Sequence, residues 1–129
     1  KSVLNYDTTL IINHLLKAPF DQGLKTYSSP TMLPYQLNKT FACKTGSTPS
    51  SSWVVGFNKD YTLLVYVGDD NNKTLHDGRV SKKIFKDIAF SLTLDKEDNF
   101  YTYPNNLKPF KIHNGINNIY SFTYLTQKY

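Results

Sequence analysis

Two apolar runs separated by a short polar turn constrain this chain most. Residues 52–58, Ser-Trp-Val-Val-Gly-Phe-Asn, and residues 61–67, Tyr-Thr-Leu-Leu-Val-Tyr-Val, are rich in β-branched and aromatic side chains, which favour strands. Asn58-Lys59-Asp60 joins them, so the pair is expected to form an antiparallel hairpin. The near-continuous apolar run Leu63–Val67 predicts a strand covered on both faces. Upstream, residues 39–47 read as a further strand, with Phe41 and Cys43 on one face and Ala42 and Lys44 on the other.

Helical periodicity brackets these strands. Residues 7–18 carry Leu10, Ile11, Ile12, Leu15, Leu16 and Ala18 on a broad apolar face. Asp7 is the expected cap, with Thr8 and Thr9 as alternatives, and Pro19 stops the helix. Residues 19–38, with Gly23, Pro30 and Pro34, read as a connecting loop. Residues 80–92 form a second helix, with Val80, Ile84, Phe85, Ile88, Ala89 and Leu92 as its expected core face. After Leu94 the chain becomes charged, then extended over residues 101–106. Two short strand candidates, Pro109–His113 and Tyr120–Leu125, flank Asn114-Gly115. The expectation is an α+β fold: three antiparallel strands, both helices packed together on one face, and a C-terminal β hairpin. Residues 1–95 would form the main unit and 96–129 a small β extension.

Composition narrows the function classes. The 129 residues suffice for one domain with a real core. Net charge is +5, but the bases are dispersed. Their densest group, Lys82-Lys83-Lys86, lies on a predicted helix and reads as a solvated face, so no nucleic-acid partner is expected. The single Cys43 has no internal disulfide partner, and its position opposite Lys44 makes it a buried, inert thiol. His14, His76 and His113 have no metal-ligand spacing. Asp69, Asp70 and Asn72 lack the Gly and Glu of a calcium loop, so no metal and no cofactor is expected. No apolar run reaches about 18 residues. The chain opens on Lys1 rather than Met and enters a helix almost at once, which suggests an excised domain or a fragment.

The chemistry-bearing segment is Lys44-Thr45-Gly46-Ser47-Thr48. K-T-G is the third motif of the penicillin-binding and serine β-lactamase site. The other two, S-x-x-K and S-x-N, are absent: no Ser here has Lys three residues later or Asn two residues later. Two further segments follow in order, Trp53-Val54-Val55-Gly56-Phe57 and Val65-Tyr66-Val67-Gly68-Asp69-Asp70. From about residue 5 to 95 this order resembles the last part of a penicillin-binding transpeptidase domain, particularly of class A. Cys43 departs from the pattern, since Gly or Ala commonly precedes the motif.

The resemblance implies a partial transpeptidase fold and roles for five residues. Lys44 would attract the substrate carboxylate and tune the serine machinery. Thr45 would hydrogen-bond that carboxylate or a bridging hydroxyl. Gly46 would let backbone approach the ligand. The Ser47 N–H would be an oxyanion donor, and Thr48 completes the substrate-binding stretch. The implied function is the K-T-G-bearing piece of a serine D,D-transpeptidase that cross-links peptidoglycan and is acylated by β-lactams. Its partners would be the peptidoglycan stem peptide, β-lactams and the upstream half of the same domain. The full protein would work outside the cytoplasmic membrane, tethered through an upstream segment, and this piece alone would be inactive. Two alternatives stand beside it: a non-catalytic, basic, aromatic-rich binding module, and a fragment of a serine β-lactamase.

Overall fold

The computed structural model describes residues 3–25, 29–102, 107–114 and 118–125, the last two stretches as backbone alone. The expected linker over 101–106 lies outside the described residues beyond Thr102, as do Gly115 and Tyr129. The chain divides into two compact units, Leu15–Phe100 and Lys1–His14 with Tyr101–Tyr129.

The larger unit is built on a three-stranded antiparallel sheet in the order β1 (Ala42–Thr48), β2 (Ser51–Phe57), β3 (Thr62–Gly68). Continuous register sets Lys44 opposite Val55, Gly46 opposite Trp53 and Ser47 opposite Ser52. Trp53 in turn faces Tyr66, and Val54 faces Val65. The turn after β2 is fixed by Asn58, whose Oδ1 accepts the N–H groups of Asp60 at 2.9 Å and Tyr61 at 2.8 Å. Asn is suited to this because its short amide can close a turn on its own backbone.

Strand periodicity sorts the side chains into two faces. Cys43, Val54 and Val65 lie on one, packed with Phe85 and Ala89 of helix α2 (Val80–Thr93). Phe85 is fully buried and meets Phe41 edge to face, with centroids 6.0 Å apart. Gly56 makes this approach possible. A Cβ there would stand 2.4 Å from the Phe85 ring.

The helix is turned relative to the expected face. Its buried stripe is Ser81, Phe85, Ala89 and Thr93, spaced by four residues as one helix face requires. Ile84, Ile88 and Leu92, expected in the core, are partly exposed. The two polar members of the stripe are satisfied. Ser81 Oγ lies 2.6 Å from Ser52 Oγ, which donates to Gly78 O at 2.7 Å. Thr93 Oγ1 donates to Ala89 O. Burial of hydrogen-bonded hydroxyls costs little, so apolarity alone misplaced the stripe. Upstream of the helix, the Asp77 carboxylate accepts from Arg79 N–H at 2.9 Å and pairs with Lys83 at 2.7 Å and Arg79 at 3.1 Å. Lys83 first, then Arg79, hold that carboxyl well below the usual carboxylate range.

The other face of the sheet departs from expectation too. Leu64 is 63% and Tyr66 65% exposed, so β3 is covered on one face only. Conversely, the stretch over 19–38 is more than a surface connection. It holds short 3-10 turns at Ala18–Phe20, Gln22–Leu24 and Leu33–Tyr35, and it sends Met32 and Tyr35 into the core. The segment beyond α2 is anchored to the entry of β1. Asp98 accepts from Thr40 N–H at 2.9 Å and from Thr40 Oγ1 at 2.6 Å.

Helix α1 (Tyr6–Leu15), which belongs to the smaller unit as far as His14, starts under Asn5 rather than Asp7. Asn5 Oδ1 accepts the Asp7 N–H at 2.8 Å, the arrangement of an N-cap. Pro19 falls inside the 3-10 turn that follows; lacking an N–H, it cannot extend the α-helical ladder. Strands β4 (Leu107–Asn114) and β5 (Asn118–Leu125) pair antiparallel, with Asn114 opposite Asn118.

Candidate functional site

Strand β1 is the edge of its sheet, and its outer side carries the singled-out motif. The start of that side is occupied: the Cys43 N–H donates to Leu16 O at 2.8 Å. In an antiparallel strand, alternate residues direct N–H and C=O to the same side. The N–H groups of Thr45 and Ser47 therefore also turn outward. Among the described residues neither makes a further backbone bond there. Ser47 and Thr48 are exposed, so this end of the strand offers main chain to an incoming extended ligand.

The side chains divide by strand parity. Lys44 is exposed, and its Nζ donates to Thr45 O at 2.6 Å. Thr45 is half-buried, and its Oγ1 lies 2.9 Å from Thr31 Oγ1. Lys44 and Thr45 share a cavity of about 210 Å³ with Ala18, Pro19, Ser29 and Thr31. Thr48 Oγ1 contacts Ser51 Oγ at 2.7 Å across the Pro49-Ser50 turn. Ser29 and Thr31 were not singled out in the sequence, because they sit in a stretch without periodicity and reach β1 only through the fold.

Gly46 has a packing reason as well. A Cβ on Gly46 would come within 2.3 Å of the Trp53 indole, its cross-strand neighbour. The absent side chain makes room for Trp53 on the open face, in a non-bonded fit that any larger residue would disturb. Cys43 faces the opposite way. It is buried in the core, and desolvation pushes its thiol up to about 12, against the opposing charges of Lys44 and Lys82. The thiolate is the reactive form, so Cys43 in the folded protein should not react with a disulfide reagent at pH 8 and should react stoichiometrically once unfolded. Rapid labelling of the native protein would contradict its placement. Among the described residues no cluster of His, Cys, Asp or Glu is arranged to hold a metal ion.

No family model matches the chain. Its sequence is similar to Penicillin-binding protein 2D of Bacillus subtilis (strain 168), with 32% identity over 77 residues. That alignment takes in 58% of this chain but 11% of the relative, so the chain spans about a tenth of the length of the curated protein it matches. The chain thus contains a region related to a penicillin-binding protein, on an α+β framework compatible with part of such a domain.

Proposed function

We propose that this chain is the K-T-G-bearing piece of a serine D,D-transpeptidase of class A type, which cross-links peptidoglycan and is acylated by β-lactams. The observation that carries the reading is the open end of edge strand β1, where Lys44, Thr45 and the outward Ser47 N–H converge on one border of the sheet. Acyl transfer needs a nucleophile, a cation for the substrate carboxylate and an oxyanion donor. Lys44 supplies the cation, Thr45 a hydroxyl for the same carboxylate, and the Ser47 N–H one oxyanion donor. Gly46 and Thr48 keep the strand accessible to a peptide laid along it. The nucleophilic serine comes from the upstream half of the domain.

That half also accounts for the exposed apolar face of β3 around Leu64 and Tyr66, which it would cover. Residues 1–95 form the end of the transpeptidase domain in this reading, and residues 96–129 add a β extension. The whole protein works outside the cytoplasmic membrane on the stem peptides of peptidoglycan. In this reading its tether lies in an upstream segment. Among the described residues no helix is long and apolar enough to cross a membrane. A polyanion-binding module would need bases interleaved with aromatics on one strand face. On the open face of the three strands Lys44 is the single base, beside Trp53, Val55, Leu64 and Tyr66.

Fluorescent penicillin applied to this chain and to the gene product extended upstream tests the reading. Covalent labelling of the longer protein alone is the expected result. Absence of label from both would overturn the transpeptidase assignment.

A further inference from the structure

Thr31 lies fourteen residues before Thr45 in the chain, yet their hydroxyl oxygens are 2.9 Å apart. Both line the cavity that also receives Lys44. A hydroxyl carries one proton and accepts through two lone pairs. Two hydroxyls at this distance share one hydrogen bond, and either can be the donor. An anionic ligand removes that freedom, because a carboxylate only accepts. If Thr45 gives its proton to the ligand, the Thr31–Thr45 bond can persist only with Thr31 donating. The two bonds then run in one direction, from Thr31 to Thr45 to the anion, and each polarises the next.

We infer that Thr31 is a positioning residue for Thr45, holding its hydroxyl so that the proton is presented to the carboxylate bound beside Lys44. The inference rests on the transpeptidase reading above. Thr31 itself need not touch the ligand. It acts by filling the Thr45 lone pair and by fixing the Thr45 rotamer, which an edge strand would otherwise leave free to turn toward solvent.

The test uses the upstream-extended protein and the second-order rate of acylation by a fluorescent penicillin. Thr31→Val removes the donor at nearly constant volume and is expected to slow acylation about 3- to 10-fold, the range of a single neutral hydrogen bond. Thr31→Ser keeps the hydroxyl and should restore the rate to within about 2-fold of wild type, the precision set by side-chain freedom. In a Thr45→Val background the Thr31→Val loss should vanish, because the group it positions is gone. Thr31→Ala serves the same comparison if the valine variant does not fold. A Thr31→Val rate equal to wild type would overturn the inference and leave the transpeptidase reading intact. A loss that persists undiminished on Thr45→Val would overturn it too, since Thr31 would then act by another route. Wild-type protein that takes up no label would remove both the reading and the inference.

Discussion

Replacing Lys44 with Ala in the upstream-extended protein is expected to slow acylation by penicillin about 10- to 150-fold, the cost of losing one hydrogen bond to a charged group. Lys44 does little for the fold. Its side chain is exposed, and its bond to Thr45 O is local, one residue along the same strand. A surface lysine of this kind contributes little to stability, so the unfolding midpoint should stay close to wild type. The loss should therefore appear in the reaction alone. Lys44→Arg keeps the charge but replaces a compact ammonium by a wide planar fork, so it should recover part of the rate. An Ala variant that is acylated as fast as wild type would take Lys44 out of the site. One that unfolds would show that the lysine has a structural role beyond its bond to Thr45 O.

The sheet was legible because its signals are local. Alternation over residues 39–47 and the apolar runs on either side of Asn58-Lys59-Asp60 anticipate β1, β2 and β3 to within a few residues. That residues 44–48 lie together on one strand was legible for the same reason, since they are contiguous. What escaped depends on neighbours distant in sequence. Ile84, Ile88 and Leu92 look like a core stripe, but Ser81 is buried because Ser52, on another element, completes its hydrogen bond. The run Leu63–Val67 has the composition of a doubly covered strand, and composition does not say whether the second cover is supplied by these residues. The helix cap is a local exception: Asn5 lies two residues before Asp7, where its Oδ1 accepts the Asp7 N–H. Thr31 carried no signal of any kind, since a pairing of hydroxyls across a loop leaves no periodic trace. Gly46 invited a functional reading, while its cross-strand partner Trp53 supplies a steric one; the two are compatible, because they concern different sides of the strand.

The largest effect on stability is expected at Phe85. Its ring is fully buried where α2 crosses the sheet, against Phe41 and directly over Gly56. Phe85→Ala should destabilise the protein by about 3–5 kcal/mol, the transfer free energy of the ring plus the cavity it leaves. Measured by urea denaturation, that should lower the midpoint strongly with little change in slope. The same contact predicts a second variant. Gly56→Ala places a methyl 2.4 Å from the Phe85 ring and 3.1 Å from Ala42 O, an overpacking that should cost about 1–3 kcal/mol. The two losses should not add. Once Phe85 is truncated, the methyl at position 56 enters vacated space, and only the milder approach to Ala42 O remains. The double variant should therefore be more stable than the sum of the single losses implies, by about 1–2 kcal/mol, as expected for residues in direct contact. Strict additivity would mean that α2 does not seat Phe85 on Gly56. Because α2 covers the face opposite Lys44, Gly56→Ala in the upstream-extended protein also asks whether β1 holds its edge when its core support is strained: acylation at the wild-type rate, below the unfolding midpoint, would show that the edge keeps its geometry, held by its pairing with β2 and by the Cys43 N–H bond to Leu16 O.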